Sequence, residues 1–563
     1  MRRGGTDRAA GMIFMLLAAC DGADNSTATN DTGDSTAATH PTVESTTYLG
    51  PFAGEGAGLH ADNVTRHVIA FYGTDLGFTY QHGAELQILF GDSWAIESYA
   101  PIEASTGSRF DDGFGTIELP AGFDPARITP ATIPPIRLGQ NPGTTEMSAI
   151  DPGHAMDLGK TPMAGFSNGT REFALFNIGK PQGCTMDAEC SNGLTCATTL
   201  GYFGSRYSQP ESGTIGCRDG TPGCTSDTMV DAADQPVPSS GLCTDPTSVL
   251  RDGPVSNLLS PIGIRVLIGV RATATPKRYG DIHEWLTNKF MNVTTRTVED
   301  FDPVRAAGGA QQNYRPAQGA GGNRRVFLWG RPGFIGVAKN GRSLPMYFAY
   351  TDMPAGPGHA WTFNYYTGSV NGAARFSPHE KDAQPLDLDA RRSGVQPEEI
   401  HDIANQMSVA WVEPLGKWVM FYGGGLTRLP TAVLKQCGVL ELFVGAECTD
   451  VNMGNGAVRM RTADDPWGPW TPPQDVIEGG APADGPLGQY GPGGALRHAA
   501  CTDPTCAPHS DMFAYHTDEY GFFYSANIIE QWIRPAGNGV DILWNASTWD
   551  PYRVVLLRTH IRK

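Results

Sequence analysis

The sequence predicts an all-β fold, a five-bladed β-propeller carrying a disulfide-rich insertion. Three observations lead there. Turn formers punctuate the chain throughout: 70 Gly and 42 Pro in 563 residues, with only 18% charged residues and few stretches of long helical period. An apolar segment, a turn and a second apolar segment occur in succession five times. The spacing of these hairpins becomes nearly even once a Cys-rich stretch is set aside.

The chain opens on a targeting pattern. Arg2, Arg3 and Arg8 precede a short apolar run containing Ile13, Phe14, Leu16 and Leu17, and then Leu17-Ala18-Ala19-Cys20. Small residues before a cut suit a signal peptidase. The run resembles the bacterial lipobox, in which the Cys is acylated, so residues 1–20 are expected to be a lipoprotein signal peptide and Cys20 the lipidation site. The apolar run is too short to span a bilayer. Residues 21–64 are expected to be a disordered tether, because the stretch to about Tyr48 is rich in Ser, Thr, Asp and Ala and carries little apolar surface. The propeller is then expected over 65–563.

The first hairpin runs from Gly73-Thr74-Asp75 to Tyr80, turns at His82-Gly83 and returns as Leu86–Phe90. The second runs from Thr161 through Phe166, turns at Asn168-Gly169 and returns as Phe173–Phe176. The third begins at Val326-Phe327-Leu328-Trp329, turns at Asn340-Gly341 and returns as Pro345–Tyr350. The fourth is Met407–Val412, Leu415-Gly416 and Trp418–Tyr422. The fifth starts at Tyr490, turns around Asp503-Pro504 and returns as Met512–His516. Asn-Gly between apolar runs is a strong hairpin signal, since both turn residues must accept positive φ. Runs apolar on both faces, such as Trp418–Tyr422, suit strands sandwiched between neighbouring sheets. The hairpins start near 73, 160, 324, 405 and 490, giving gaps of 87, 164, 81 and 85 residues. Removing the 60-residue Cys-rich stretch 184–243 reduces the odd gap to 104. The final strand, Val554–Arg558, is expected to help close the ring.

The chain has 11 Cys, and ten remain if Cys20 is acylated. Six fall within 184–243, and the others form local pairs, Cys437 with Cys448 and Cys501 with Cys506. Even, clustered cysteines in an exported chain read as disulfides. The C-x5-C-x5-C spacing at the start of the cluster lacks the CxxC knuckle of a zinc site. A net charge of −18 argues against nucleic acid and anionic membrane surfaces as partners.

In a propeller, the starts and ends of the inner hairpins ring one mouth of the central channel. A turn at His82-Gly83 pairs Asp75 with Phe90 and leaves Asp92 diagonal to Asp75. Diagonal strand neighbours lie about 7–8 Å apart, within the roughly 5–9.5 Å used by paired carboxylates in glycoside hydrolysis. One carboxyl donates a proton to the leaving oxygen; the other, ionised, activates water or attacks the anomeric carbon. The same placement marks Asp352, His401, Asp402, Asn405, Gln406, His516 and Asp518 as substrate-orienting candidates. Trp94, Trp329, Tyr490 and Trp549 are candidate stacking platforms for sugar rings. No metal or cofactor is expected.

Several motifs resemble those of domain-of-unknown-function family 4185. They are Gly73-Thr74-Asp75-Leu76-Gly77 with Leu89-Phe90-Gly91-Asp92-Ser93-Trp94; Phe327-Leu328-Trp329-Gly330-Arg331-Pro332; Trp418–Tyr422; and Arg461-Thr462-Ala463 with Pro466-Trp467-Gly468-Pro469-Trp470. Tyr490-Gly491-Pro492 and Ser547–Tyr552 complete the set. The resemblance implies a five-bladed glycoside-hydrolase-like propeller, with D-arabinan hydrolysis the leading activity and Asp75 and Asp92 as its paired acids. The chain is therefore expected to be a monomeric, lipid-anchored, extracytoplasmic hydrolase. It would meet a polysaccharide or cell-surface glycan and touch the bilayer through its acyl anchor. A non-catalytic glycan- or protein-binding propeller is the alternative.

Overall fold

A computed structural model describes residues 40–54, 74–94, 109–138, 161–181, 183–184, 186–189, 195–197, 214–215, 229–230, 241–244, 264–271, 279–287, 289–290, 292–299, 324–331, 345–353, 361–371, 373–388, 406–424, 457–478, 494–496, 523–549 and 552–563. The described strands all fall in one unit, Pro41–Lys563. The first, β1, is Thr42–Gly54. Next come β2 (Leu76–His82), β3 (Glu85–Trp94), β4 (Arg109–Ile117) and β5 (Ile136–Leu138), then β6 (Thr161–Ser167) and β7 (Glu172–Pro181). Short strands follow: β8 (Gly183–Cys184), β9 (Thr195–Ala197), β10 (Thr214–Ile215), β11 (Met229–Val230) and β12 (Gly241–Thr244). Long ones resume with β13 (Ile264–Arg271), β14 (Tyr279–Thr287), β15 (Asn292–Glu299), β16 (Arg324–Arg331), β17 (Tyr347–Asp352), β18 (Phe363–Val370) and β19 (Ala373–Ser377). The chain ends with β20 (Met407–Val412), β21 (Lys417–Gly424), β22 (Ala457–Ala463), β23 (Gln474–Ile477), β24 (Phe523–Ile528), β25 (Arg534–Ala536), β26 (Gly539–Trp549) and β27 (Tyr552–Arg562).

The fold is all-β, a propeller-like arrangement with four blades formed by successive antiparallel meanders. These are β2–β5, β6-β7-β13-β14, β15–β19 and β20–β23. A further sheet joins the chain's two ends in the order β1-β27-β26-β24, with β25 on β26. The first strands neighbour one another: β2 lies against β6, β6 against β15, β15 against β20, β20 against β24, and β24 against β2. Apolar packing runs between sheets. Phe327, Trp329 and Phe348 share a cluster with Met407, Trp411 and Trp418, and Val419 and Phe421 share another with Trp544, Val555 and Leu557. Ile88 and Phe90 pack with Leu543, Val554 and Leu556, and Phe173 and Leu175 with Val326, Leu328 and Ala349. Each such side chain contributes about 1.5–3 kcal/mol on full burial, so the sheets hold together through one another's faces.

Several expectations change. The tether expected over 21–64 contains β1, which pairs with β27 from Thr42↔Arg562 to Gly54↔Arg553. Its Ser/Thr-rich start mixes exposed and half-buried positions, while Leu49, Phe52 and Ala53 are buried. The third expected hairpin, β16–β17, is not the first of its sheet: β16 is the second strand, between β15 and β17. The fifth sheet starts at β24 and turns into β26; most of 490–516 lies outside the described residues. The second and fourth hairpins form as expected.

Within the Cys-rich insertion the described pieces form a small sheet, β8-β12-β9. Cys243 pairs in register with Cys196, and Gly241 with Cys184. Cys20 and the Cys437, Cys448, Cys501 and Cys506 pairs lie outside the described residues.

Candidate active site around Asp75

Asp75 ends the approach to β2, and its backbone decides where the carboxylate goes. The β2–β3 hairpin turns at Gly83-Ala84, one residue later than expected, pairing His82 with Glu85. A register shift then falls between Leu76 and Phe78. Leu76 and Gly77 both take left-handed backbone, φ 66° and 73°, so Asp75 faces Gly91, whose N–H donates to the Asp75 carbonyl at 3.2 Å. Asp92 is the next residue, inside a second irregularity between Phe90 and Ser93 on the β3–β4 ladder. Bulges re-aim side chains at such positions. The side chains of Asp92 and Trp94 lie outside the described residues.

A non-glycine residue at positive φ is uncommon, and Leu76 is held by its neighbours. Its carbonyl accepts from Asn527 Nδ2 at 2.8 Å and from Ser525 Oγ at 3.3 Å. The Gly77 carbonyl accepts from Asn545 Nδ2 at 2.9 Å. Ser525 itself has φ 51°. The bulge is thus pinned from β24 and β26 by three buried side chains. The residue that touches the carboxylate comes from the same strand: Tyr524 donates its hydroxyl to Asp75 Oδ2 at 2.9 Å. Asp75 is 8% exposed and Tyr524 7%.

Gly91 is the second determinant. A Cβ built there would stand 2.2 Å from Asp75 Oδ1 and 2.6 Å from Leu76 Cδ1. The carboxylate lies over the glycine, and any side chain at 91 would displace it.

The remaining expected site residues scatter. Gln406 immediately precedes β20, as Asp75 immediately precedes β2; it is buried, and its Oε1 has no hydrogen-bond partner among the described residues. Trp329 is fully buried, donating its Nε1–H to the Pro466 carbonyl at 2.7 Å, with its ring 5.4 Å from that of Trp418. That corrects its assignment as a sugar platform: no ring can stack on a side chain enclosed by two sheets. Asp352 ends the third strand of its sheet, opposite Arg325, to which it is ion-paired. It therefore sits at the end of β17 away from the Asn292 start of β15, and not at the level of Asp75. Trp549 ends β26 opposite Tyr552, and its side chain is outside the described residues. His401, Asp402, Asn405, Tyr490, His516 and Asp518 are also outside them. Among the described residues no group of three His, Cys, Asp or Glu is placed to hold a metal.

Tyr524, Ser525, Asn527, Asn545 and Gly91 escaped the sequence reading. The signal lies in Phe523–Ile528, an apolar run broken by Tyr524, Ser525 and Asn527: Tyr524 reaches the Asp75 carboxylate, and Ser525 and Asn527 reach the Leu76 carbonyl.

Deeper along the first strands, Arg296 of β15 and Glu530, which follows β24, form a half-buried ion pair with Nε–Oε2 3.7 Å. Burial pushes the Glu530 carboxyl up, partly offset by the Arg296 charge. Burial likewise lowers the Arg296 guanidinium, with Glu530 opposing.

No family model matches the chain, and no match is found among curated proteins.

Proposed function

We propose that the chain is a lipid-anchored extracytoplasmic glycoside hydrolase of the family-4185 type, acting on a furanosidic polysaccharide such as D-arabinan. The carrying observation is the Asp75 carboxylate. It is buried at the start of a first strand, oriented by Tyr524, seated over Gly91 and one residue out of register from Asp92. A hydroxyl donating to Oδ2 suits Asp75 to the ionised role, attacking the anomeric carbon or activating water. Asp92 then protonates the leaving oxygen.

The five-bladed reading belongs to the same proposal. The β1-β27-β26-β24 sheet serves as the fifth blade, and the mutual contacts of β2, β6, β15, β20 and β24 support a closed ring. Pairing of the N-terminal β1 with the C-terminal β27 latches it. The insertion is held by disulfides, and the Cys196–Cys243 register favours one between those residues: directly opposed antiparallel residues have Cα atoms about 4.5–5.5 Å apart, within disulfide reach. Acylation at Cys20, followed by a spacer ending before β1, would hold the propeller off the bilayer.

The test is hydrolysis of a glycan panel including arabinogalactan, read by reducing-end release, for wild type, Asp75→Asn and Asp92→Asn. The proposal expects a product from wild type and loss in both variants. Full activity in both variants would sink it, and glycan binding without any product would favour a binding propeller.

A further inference from the structure

Asp75 and Tyr524, the hydrogen-bonded pair at the candidate site, are carried by two matched irregularities. On β2, Gly77 is an extra residue between the Leu76↔Phe90 and Phe78↔Leu89 pairs. On β24, an extra residue falls between the Tyr524↔Ser547 and Asn527↔Asn545 pairs. The residue after Asp75, Leu76, has φ 66°, and the residue after Tyr524, Ser525, has φ 51°. Left-handed backbone is disfavoured for a leucine or a serine. Among the described residues the only other non-glycine with positive φ is Asn371, in the turn between β18 and β19.

One side chain joins the two. Asn527 Nδ2 donates to the Leu76 carbonyl at 2.8 Å and to the Ser525 carbonyl at 2.8 Å, and both bonds are buried. An amide NH2 has two hydrogens, and these two carbonyls take both. Its register partner Asn545 holds the next carbonyl, that of Gly77. Without the Asn527 amide, the Leu76 carbonyl keeps only the longer bond from Ser525 Oγ, 3.3 Å. A buried acceptor that loses its donor is costly, so each bulge then has less to hold its left-handed residue. Relaxing a bulge changes the register by one, and a one-residue change turns a side chain to the other face of its sheet. Asp75 and Tyr524 would part. We infer that Asn527 is the positioning residue of the site: its amide sets both left-handed residues and, through them, brings the Tyr524 hydroxyl onto the Asp75 carboxylate. The inference rests on the reading of Asp75 as the acting carboxylate.

Asn527→Ala and Tyr524→Phe, made singly and together in the full chain, test this. Assayed well below melting, Asn527→Ala should lower kcat by about 100-fold, the loss that a misplacement of roughly 1 Å brings, with KM within about twofold. Both substitutions act through one pair, so the double variant should lose no more kcat than the worse single one. The same cycle read in thermal melting needs no substrate. There, the shift caused by Tyr524→Phe should shrink to about half or less in the Asn527→Ala background. If Asn527→Ala does not fold, Asn527→Ser, which keeps one donor, takes its place in both cycles. Losses of kcat that multiply, or an equal Tyr524→Phe melting shift in the two backgrounds, would overturn the assignment. A wild type that releases no product, with the melting coupling present, would overturn the hydrolase reading and leave the positioning role standing.

Discussion

Replacing Gly91 by alanine perturbs the proposed site by one methyl group. The added Cβ would stand 2.2 Å from Asp75 Oδ1 and 2.6 Å and 2.9 Å from Leu76 Cδ1 and Cγ. Carbon and oxygen in van der Waals contact sit well beyond 3 Å, so the carboxylate must retreat by about 1 Å, a displacement that costs on the order of 100-fold in rate at a reacting group. The retreat also strains the Tyr524 bond to Oδ2. Overpacking of this kind costs about 1–3 kcal/mol of stability. Gly83→Ala is the control: Gly83 has φ 60° and open space around its Cβ position, so it pays only for left-handed backbone, about 1–2 kcal/mol, far from the carboxylate. The assay is reducing-end release on the best glycan of the panel, with thermal melts of both variants. The expected result is similar modest destabilisation in both and a loss of turnover confined to Gly91→Ala. Wild-type turnover in Gly91→Ala would refute the claim that the seat of Asp75 over Gly91 matters to catalysis.

Other outcomes follow from the same geometry. Tyr524→Phe should lower kcat more than KM, leaving Asp75 in place but without its Oδ2 donor; an unchanged kcat would remove Tyr524 from the site. Truncation before residue 41 should leave melting unchanged, whereas truncation before residue 55 removes β1 and the buried Leu49 and Phe52, a loss of about 3–6 kcal/mol at 1.5–3 kcal/mol per side chain; equal melting of the two truncations would contradict the latch. Peptide mapping without reduction should recover Cys196 linked to Cys243, and free thiols at both would contradict that pairing. Burial, reinforced by the Glu380 charge and opposed by the Trp285 hydrogen bond, holds the Tyr365 phenol well above its ordinary value of 10.0. A group whose folded pKa is raised gives stability that is complete below the unfolded value and lost as pH rises towards the folded one. Melting should therefore fall above about pH 10, less steeply in Tyr365→Phe.

Which parts of the fold were legible depends on where each strand sits. The β6–β7 and β20–β21 hairpins were plain because Phe166, Phe173, Trp418 and Phe421 pack between sheets and make continuous apolar runs beside recognisable turns. The first strand β15, with Thr294, Thr295 and Arg296, lines a small cavity shared with β2, β6, β20 and β24, so it carries polar residues where a search for apolar runs expects none. The more apolar β16 therefore gives the stronger strand signal of the two. The same happened at β24, whose Ser525 and Asn527 serve the β2 bulge. In β1 only the second half, Leu49–Gly54, is buried, and pairing with β27 orders the Ser/Thr-rich remainder through the backbone ladder. Asp75 is legible because a Gly-Thr-Asp run opens the first hairpin, where few carboxylates fall at a strand end. Its register, one residue from that expected, is not legible because positive φ at a leucine, Leu76, has no residue-type signature.

The most direct measurement is turnover and binding by Asp75→Asn on a glycan that wild type cleaves, with melting as the check on folding. Asn keeps the shape and can still engage the Tyr524 hydroxyl, but cannot act as nucleophile or base. The account predicts retained binding, near wild-type melting and a rate lower by at least 10³-fold. A folded Asp75→Asn variant that releases product at the wild-type rate would contradict it.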